Sequence, residues 1–165
     1  MFGDSYKKLK LTSIEQKEQL GTAHALASAE GRIKGKFLLA MGDDIYSQKD
    51  VIAVSKADAA IGAKEVQNPS NFGSLLIEKG VVKDIVEKST NPPSNYVSTA
   101  LYSLPEEIFD IIKTIGKSKR GEYEMTDALK LLSKKTDIKA VPIDDWKPVS
   151  HLWDLLDVNQ SALGM

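Results

Sequence analysis

Gln16, Gln19, Gly21 and Thr22 fall in one short stretch that joins side-chain amides to a helix start. An amide carries a donor and an acceptor together, so it can read the edge of a nucleobase. A Gly-Thr pair opening a helix offers backbone N–H groups and a hydroxyl to an anion or a base. The same residues also fit a plain capped helix preceded by solvated polar side chains. Asp43 and Asp44 directly follow the apolar run Phe37–Met41. Open α/β sheets bind ligands past the ends of such strands, and a carboxylate there can hold Mg²⁺ against phosphates; a turn or cap aspartate is the alternative. Glu87-Lys88 combines a carboxylate for hydroxyl groups with a cation for phosphate, or forms an exposed ion pair. Thr126-Asp127 reads as a helix-start cap, and His24, among small residues, reads as packed.

Other chemistries are absent. With no cysteine in 165 residues, thiolate metal sites, disulfides and thiol nucleophiles are excluded. No His, Asp or Glu spacing suggests zinc, and nothing supplies a nucleophile–base–acid triad. Lys+Arg 22 against Asp+Glu 23 leaves a net charge of −1, so no global field favours nucleic acid or anionic lipid. The longest clean apolar run, Phe37–Met41, is too short to span a bilayer, and MFGDSYKKLKL lacks a signal-peptide core. The expectation is a soluble, cytoplasmic, single-domain chain over 1–165.

The elements that must position these residues follow from periodicity. Alternation over Leu9–Ile14 predicts a short strand, and Gly21–Ala29 a helix. Phe37–Met41 predicts a buried strand, Ser47–Ser55 a helix and Ala59–Val66 a strand, an alternation that marks α/β layers. Phe72–Ile77 and Val81–Val86, joined at Glu78-Lys79-Gly80, predict a β-hairpin. A strand at Tyr96–Leu104 follows, then a helix after Pro105 with apolar residues at 108, 109, 111, 112 and 115. A basic loop, Gly116–Gly121, leads to a helix over Glu124–Lys134. A strand at Ile138–Ile143 and a final helix at Leu152–Leu163 complete the chain.

Taken in order, these segments resemble the nucleotidyltransferases that make UDP-, dTDP- or GDP-sugars. The resemblance is carried by Gln16-Lys17-Glu18-Gln19-Leu20-Gly21-Thr22-Ala23-His24-Ala25 and Phe37-Leu38-Leu39-Ala40-Met41-Gly42-Asp43. It continues through Phe72-Gly73, Ile85-Val86-Glu87-Lys88, Pro92-Pro93-Ser94-Asn95, Leu101-Tyr102, Arg120–Ala128 and Trp153–Asn159. It implies an α/β, partial Rossmann-like nucleotide-diphospho-sugar transferase fold with a mixed sheet flanked by helices. It implies attack of a sugar 1-phosphate on the α-phosphorus of UTP or dTTP, with Mg²⁺ as cofactor. By position, Gln16, Gly21 and Thr22 would contact the base, and Asp43 would be the catalytic metal ligand. Gly73, Glu87, Ser98 and Thr126 would line the sugar pocket, with Lys88 near phosphate.

The chain also departs from the pattern. The resemblance implies that the first strands and the glycine-rich phosphate loop are lacking, which would remove several phosphate contacts at once; a single lost donor of that kind costs about 10²–10³ in rate. By the resemblance, Pro148 stands where the family has a second metal-binding Asp or Asn, and Ser98 and Ala100 replace a sugar-binding Asn and the Gly two residues after it. Exposed sheet edges are expected, with a homo-oligomer or a partner to cover them. The alternative function is a non-catalytic nucleotide-sugar-binding or regulatory subunit.

Overall fold

Lys79 and Gly80, with φ of 51° and 77°, form the two-residue turn that joins strand β6 (Gly73–Glu78) to strand β7 (Val81–Glu87). Two successive positive φ values match the twist of a tight hairpin. The hairpin register pairs Gly73 with Glu87, so two predicted site residues meet at its open end. The computed structural model describes residues 3–149 and 151–163.

The hairpin belongs to a six-stranded sheet in the order β3 (Phe37–Ala40), β8 (Tyr96–Leu104), β5 (Ala60–Glu65), β9 (Ile138–Pro142), β7, β6. β5 and β9 run parallel and every other neighbouring pair is antiparallel, giving a mixed sheet. β6 returns to β8 through Ser74 and Val97, so five of the strands close on themselves. Alternation along the strands splits the core in two. Ile61 and Tyr102 face the larger cluster with α1 (Thr22–Ala27), α3 (Ile108–Ile112) and α4 (Met125–Leu132). Ala60 and Leu101 face the smaller one with Val54 of α2 (Gln48–Ser55). Helices thus cover both faces, as the α/β expectation requires. The last helix, α5, spans Asp154–Ala162.

Three expectations need correction. The strand expected over Leu9–Ile14 stops at Lys10: Ser5–Tyr6 (β1) and Leu9–Lys10 (β2) form a separate small hairpin, and the chain then runs without regular structure, bending at residues 17–18, to Leu20. Alternation reports which way side chains face, but a strand also needs a neighbouring edge. Phe37–Ala40 is a strand but not a buried one: it pairs with β8 alone, and Leu38 is 42% exposed. Asp44 lies not in a loop but in β4 (Asp44–Tyr46), which pairs antiparallel with β10 (Trp146–Pro148). Among the described residues no helix is long and apolar enough to cross a membrane.

The β4–β10 ribbon is held in place from below by Asp50. Its carboxylate, 2% exposed, accepts the backbone N–H of Asp145 at 3.0 Å and of Asp144 at 3.4 Å. Burial raises its pKa, but those two donors and Ser47 outweigh it and leave the group below the ordinary carboxylate value. A depressed carboxyl pKa adds stability above the unfolded value and loses it as pH falls through the folded one. Asp50→Ala should therefore cost about 2–3 kcal/mol at neutral pH in urea unfolding, and less in acid, because two backbone donors lose a charged, buried acceptor.

Candidate functional site

A cavity of about 200 Å³ opens where the start of α1, the end of β3, the end of β7 and the entry to α4 converge. Its walls include Thr22, Met41, Glu87, Lys88, Arg120 and Thr126. Segments far apart in sequence thus contribute to one depression, and each arrives there for a local reason.

Gly21 has φ 107° and ψ 175°, a conformation closed to side-chain-bearing residues. It lets the chain turn sharply into α1 while lying against the backbone of Tyr123. Ala23 N–H donates to Tyr123 O at 3.0 Å, and Tyr123 N–H to Leu20 O at 2.8 Å. Thr22 Oγ1 accepts the N–H of Met125 at 3.1 Å. It thereby caps α4, whose own N-cap residue, Glu124, makes no side-chain cap. The 16–24 segment and the start of α4 are one locked unit. The helix expected from Glu124 begins at Met125, so Thr126 sits in its first turn rather than at a cap.

Gly73, Glu87 and Thr126 meet directly. A Cβ on Gly73 would come within 2.9 Å of Thr126 Cγ2 and 3.2 Å of Glu87 Oε2, so only glycine leaves room here. Thr126 Oγ1 is buried and reaches no partner in full hydrogen-bond geometry, although it lies close enough to Glu87 to favour that group's charge. Burial pushes the Glu87 carboxyl above its ordinary pKa, and the charge of Glu124 adds to this. Lys88, Thr126 and Arg120 oppose it without cancelling it. Arg120 spans three carboxylates, at 3.6 Å from Glu87, 3.5 Å from Glu122 and 3.5 Å from Glu124. Glu124 also accepts from the Ser118 hydroxyl at 3.0 Å. An unsatisfied hydroxyl beside a carboxylate and a cation suits a polyhydroxylated, anionic ligand.

Two cavity residues hold backbone conformations that glycine would hold more cheaply. Lys88 has φ 41° and Ala100 φ 55°. Strain of this kind collects at ligand sites. A glycine at the place of Ala100, as the resemblance implies for the family, would hold this backbone without that strain. Left-handed backbone costs a non-glycine residue about 1–2 kcal/mol, of which glycine's added unfolded-state freedom takes back about 0.4–1 kcal/mol. Ala100→Gly should raise stability by about 0.5–1 kcal/mol in denaturant melts.

Ser98 does not line the cavity. It is buried, and its hydroxyl donates to the Tyr102 hydroxyl at 3.0 Å and accepts the N–H of Ala100 at 3.2 Å, so it reaches the site through these two wall residues. Gln16 is half-buried beside α1, with Nε2 3.0 Å from His24 Nδ1 and 3.3 Å from Gly21 O. Asp43 is exposed, just beyond Met41, and its backbone O accepts from Val149 N–H at 3.1 Å. Asp44 is committed elsewhere: its Oδ2 accepts from Trp146 Nε1 at 3.0 Å and lies 3.0 Å from the Tyr46 hydroxyl. Burial raises the Asp44 pKa. Pro148 lies opposite Asp44 in the ribbon and offers no cation ligand.

Among the described residues no cluster of three or more acidic, His or Cys side chains could enclose a metal. A Mg²⁺ site of one or two carboxylates, completed by water and substrate phosphates, needs no such cluster. Asp43 is the carboxylate left available for this. Arg120, Glu124 and Tyr102 also shape the cavity, yet none is distinctive as a site residue in the sequence. Only the basic loop before α4 hints at Arg120.

The nucleotidyl transferase family model matches residues 2–164. The chain is 37% identical over 158 residues to the bifunctional protein GlmU of Methanococcus aeolicus, an alignment covering 93% of this chain and 38% of that protein. It is 35% identical over 155 residues to the UTP–glucose-1-phosphate uridylyltransferase AglF of Haloferax volcanii, covering 88% of this chain and 64% of that protein. A solved UDP-glucose pyrophosphorylase complexed with UDP-glucose matches with a TM-score of 0.76 at 23% identity, covering 89% of this chain and 64% of that one; this likeness concerns the fold alone. The chain thus spans between 38% and 64% of the length of these proteins. The ordered motifs, the mixed sheet that carries them and a match along nearly every residue agree: the chain belongs to the nucleotidyl transferase family.

Proposed function

We propose that this chain takes part in nucleotidyl transfer from UTP or dTTP to a sugar 1-phosphate. The observation that carries the reading is the single cavity in which Thr22, on the base-side segment, faces Glu87, Lys88 and Thr126 on the sugar side. In the reaction, a phosphate oxygen of the sugar 1-phosphate attacks the α-phosphorus. The bond from that phosphorus to the bridging oxygen of the β-phosphate breaks, and pyrophosphate leaves. Gly73 leaves room for the sugar, Glu87 and the Thr126 hydroxyl hold its hydroxyl groups, and Lys88 offsets phosphate charge. Gln16, Gly21 and Thr22 hold the base. Asp43 would hold Mg²⁺ together with the nucleotide's phosphates, supplying neutralisation of charge at the transferred group. Alignment and charge neutralisation make up most of the catalysis in such systems.

A second reading rests on Pro148. With no second cation ligand across from Asp44, the chain could bind nucleotide and sugar phosphate without turning them over. Pyrophosphate release with UTP or dTTP, several sugar 1-phosphates and Mg²⁺ tests the first reading. Calorimetric binding of the same ligands with no pyrophosphate would replace it with the second. Neither binding nor release would sink both.

A further inference from the structure

We infer that β3 is a self-association edge: two copies of this chain pair β3 with β3, antiparallel and centred on Leu38, and join their sheets into one. The inference stands apart from the nucleotide reading, since it concerns a strand edge and not the cavity.

β3 is the open end of the six-stranded sheet. The other five strands close on themselves through β6 and β8, whereas β3 pairs with β8 alone. Among the described residues no loop or side chain bonds the backbone of Phe37–Ala40 from the other side. Such a row of unpaired N–H and C=O groups is a template for another strand. Apolar surface lies beside it. Leu38 is 42% exposed, and Ile52 of α2 is 48% exposed. The Lys36 ammonium donates to Ser55 O at 3.2 Å, which holds the end of α2 beside β3, and Ile52 lies one turn earlier on that side of the helix. Phe37 and Leu39, on the other face of β3, pack against the larger core cluster.

A second copy is the occupant that fits, because the two ends of this edge carry opposite charge. Lys34 and Lys36 lead into β3, and the exposed Asp43 follows it. The lysines pair only with exposed carboxylates, Glu106 at 3.2 Å and Asp58 at 3.5 Å, contacts that water weakens. Parallel pairing would set lysine beside lysine and aspartate beside aspartate. Antiparallel pairing turns the lysine end of each copy toward Asp43 of the other, and opposite charges across a strand pair stabilise it where like charges do the reverse. A two-fold axis perpendicular to the sheet also continues each face with its like, so residues standing opposite must come from the same face. Of the two central leucines, Leu38 is the more exposed. A register centred on it sets Leu38 against its own copy and Phe37 against Leu39. The contact is its own complement, so it closes at a dimer and not a filament. A four-residue strand with few apolar side chains makes a small interface, hence a weak, concentration-dependent dimer.

Sedimentation velocity from about 10 to 500 µM should show the wild type passing from monomer to dimer. Leu38→Lys sets two ammonium groups face to face and should weaken that association by about tenfold or more. Circular dichroism checks that the variant folds. The chain has no cysteine, so an introduced one is its only thiol. Cα atoms opposite one another in antiparallel strands lie about 4.5–5.5 Å apart, inside the range of a disulfide. Leu38→Cys should therefore give a disulfide-linked dimer under mild oxidation, and Ala40→Cys, two residues from the axis, should not. A wild type that stays monomeric at about 500 µM overturns the inference. So does a dimer that folded Leu38→Lys leaves intact, or one that Leu38→Cys fails to cross-link; either places the interface elsewhere, the exposed face of α5 included. Equal cross-linking of both cysteine variants would mean parallel pairing and overturns it too.

Discussion

Gly21→Ala is expected to lower stability by about 3–5 kcal/mol and to abolish measurable UTP binding. Two costs add. The backbone at φ 107°, ψ 175° lies in a region that is essentially glycine-only, a penalty of about 1–3 kcal/mol for any other residue. The added Cβ would also lie 2.6 Å from Tyr123 O and 2.9 Å from Tyr123 N, and both are backbone atoms that cannot rotate away. The chain can relieve the clash only by lifting the 16–24 segment off the loop before α4. That breaks the Ala23–Tyr123 and Tyr123–Leu20 hydrogen bonds, each worth about 1 kcal/mol, and moves Thr22 away from Met125. It also takes Gly21 O from Gln16. Urea unfolding and calorimetry read the two effects. An alanine variant with unchanged midpoint and unchanged UTP affinity would show that this contact is not the hinge of the site.

The same contact shows what the sequence could and could not disclose. Gly21 and Thr22 are visible as a helix start because a Gly-Thr pair before an Ala- and Leu-rich run has a local signature. Their attachment to Tyr123 and Met125 joins residues about a hundred positions apart, and no local pattern encodes that partner. Likewise, the hairpin is legible from Lys79-Gly80 and the flanking alternation, and its register then places Gly73 opposite Glu87. The β4–β10 ribbon is not legible, because Asp44–Tyr46 and Trp146–Pro148 are each too short to show a period and gain strand character only from each other. Phe37–Ala40 looks buried because its residues are apolar, but burial depends on neighbours, and β3 has a strand on one side only. Ser98 illustrates the limit on single residues. A serine near a sugar site reads as a ligand contact, whereas its hydroxyl is turned inward to Tyr102.

Glu87→Gln should separate stability from function, raising one while lowering the other. Burial, together with the nearby charge of Glu124, holds the Glu87 carboxyl above its ordinary pKa. Its folded pKa is therefore raised relative to the unfolded chain. By linkage such a group adds stability below the unfolded value, where it is protonated in both states, and that stability is lost as pH rises through the folded value. Above its folded pKa the wild type thus keeps a carboxylate ionised where the fold disfavours it. Glutamine has nearly the same shape and no charge to desolvate. The variant should melt higher than the wild type at pH 8, and the gap should close as the pH falls and the wild-type carboxyl takes up its proton. Arg120 tempers the gain, since it keeps only Glu122 and Glu124 as partners once Glu87 is neutral. Function should move the other way. A charged hydrogen bond to a bound ligand is worth about 1.5–3 kcal/mol, so sugar 1-phosphate affinity or turnover should fall by about 10- to 150-fold. Thermal melts at pH 5 and pH 8, beside calorimetry with glucose 1-phosphate, supply both halves. A variant less stable at pH 8 would mean that the Arg120 pairing outweighs the burial of Glu87. Unchanged ligand affinity would remove Glu87, the carboxylate that meets Gly73 and Thr126, from the sugar site.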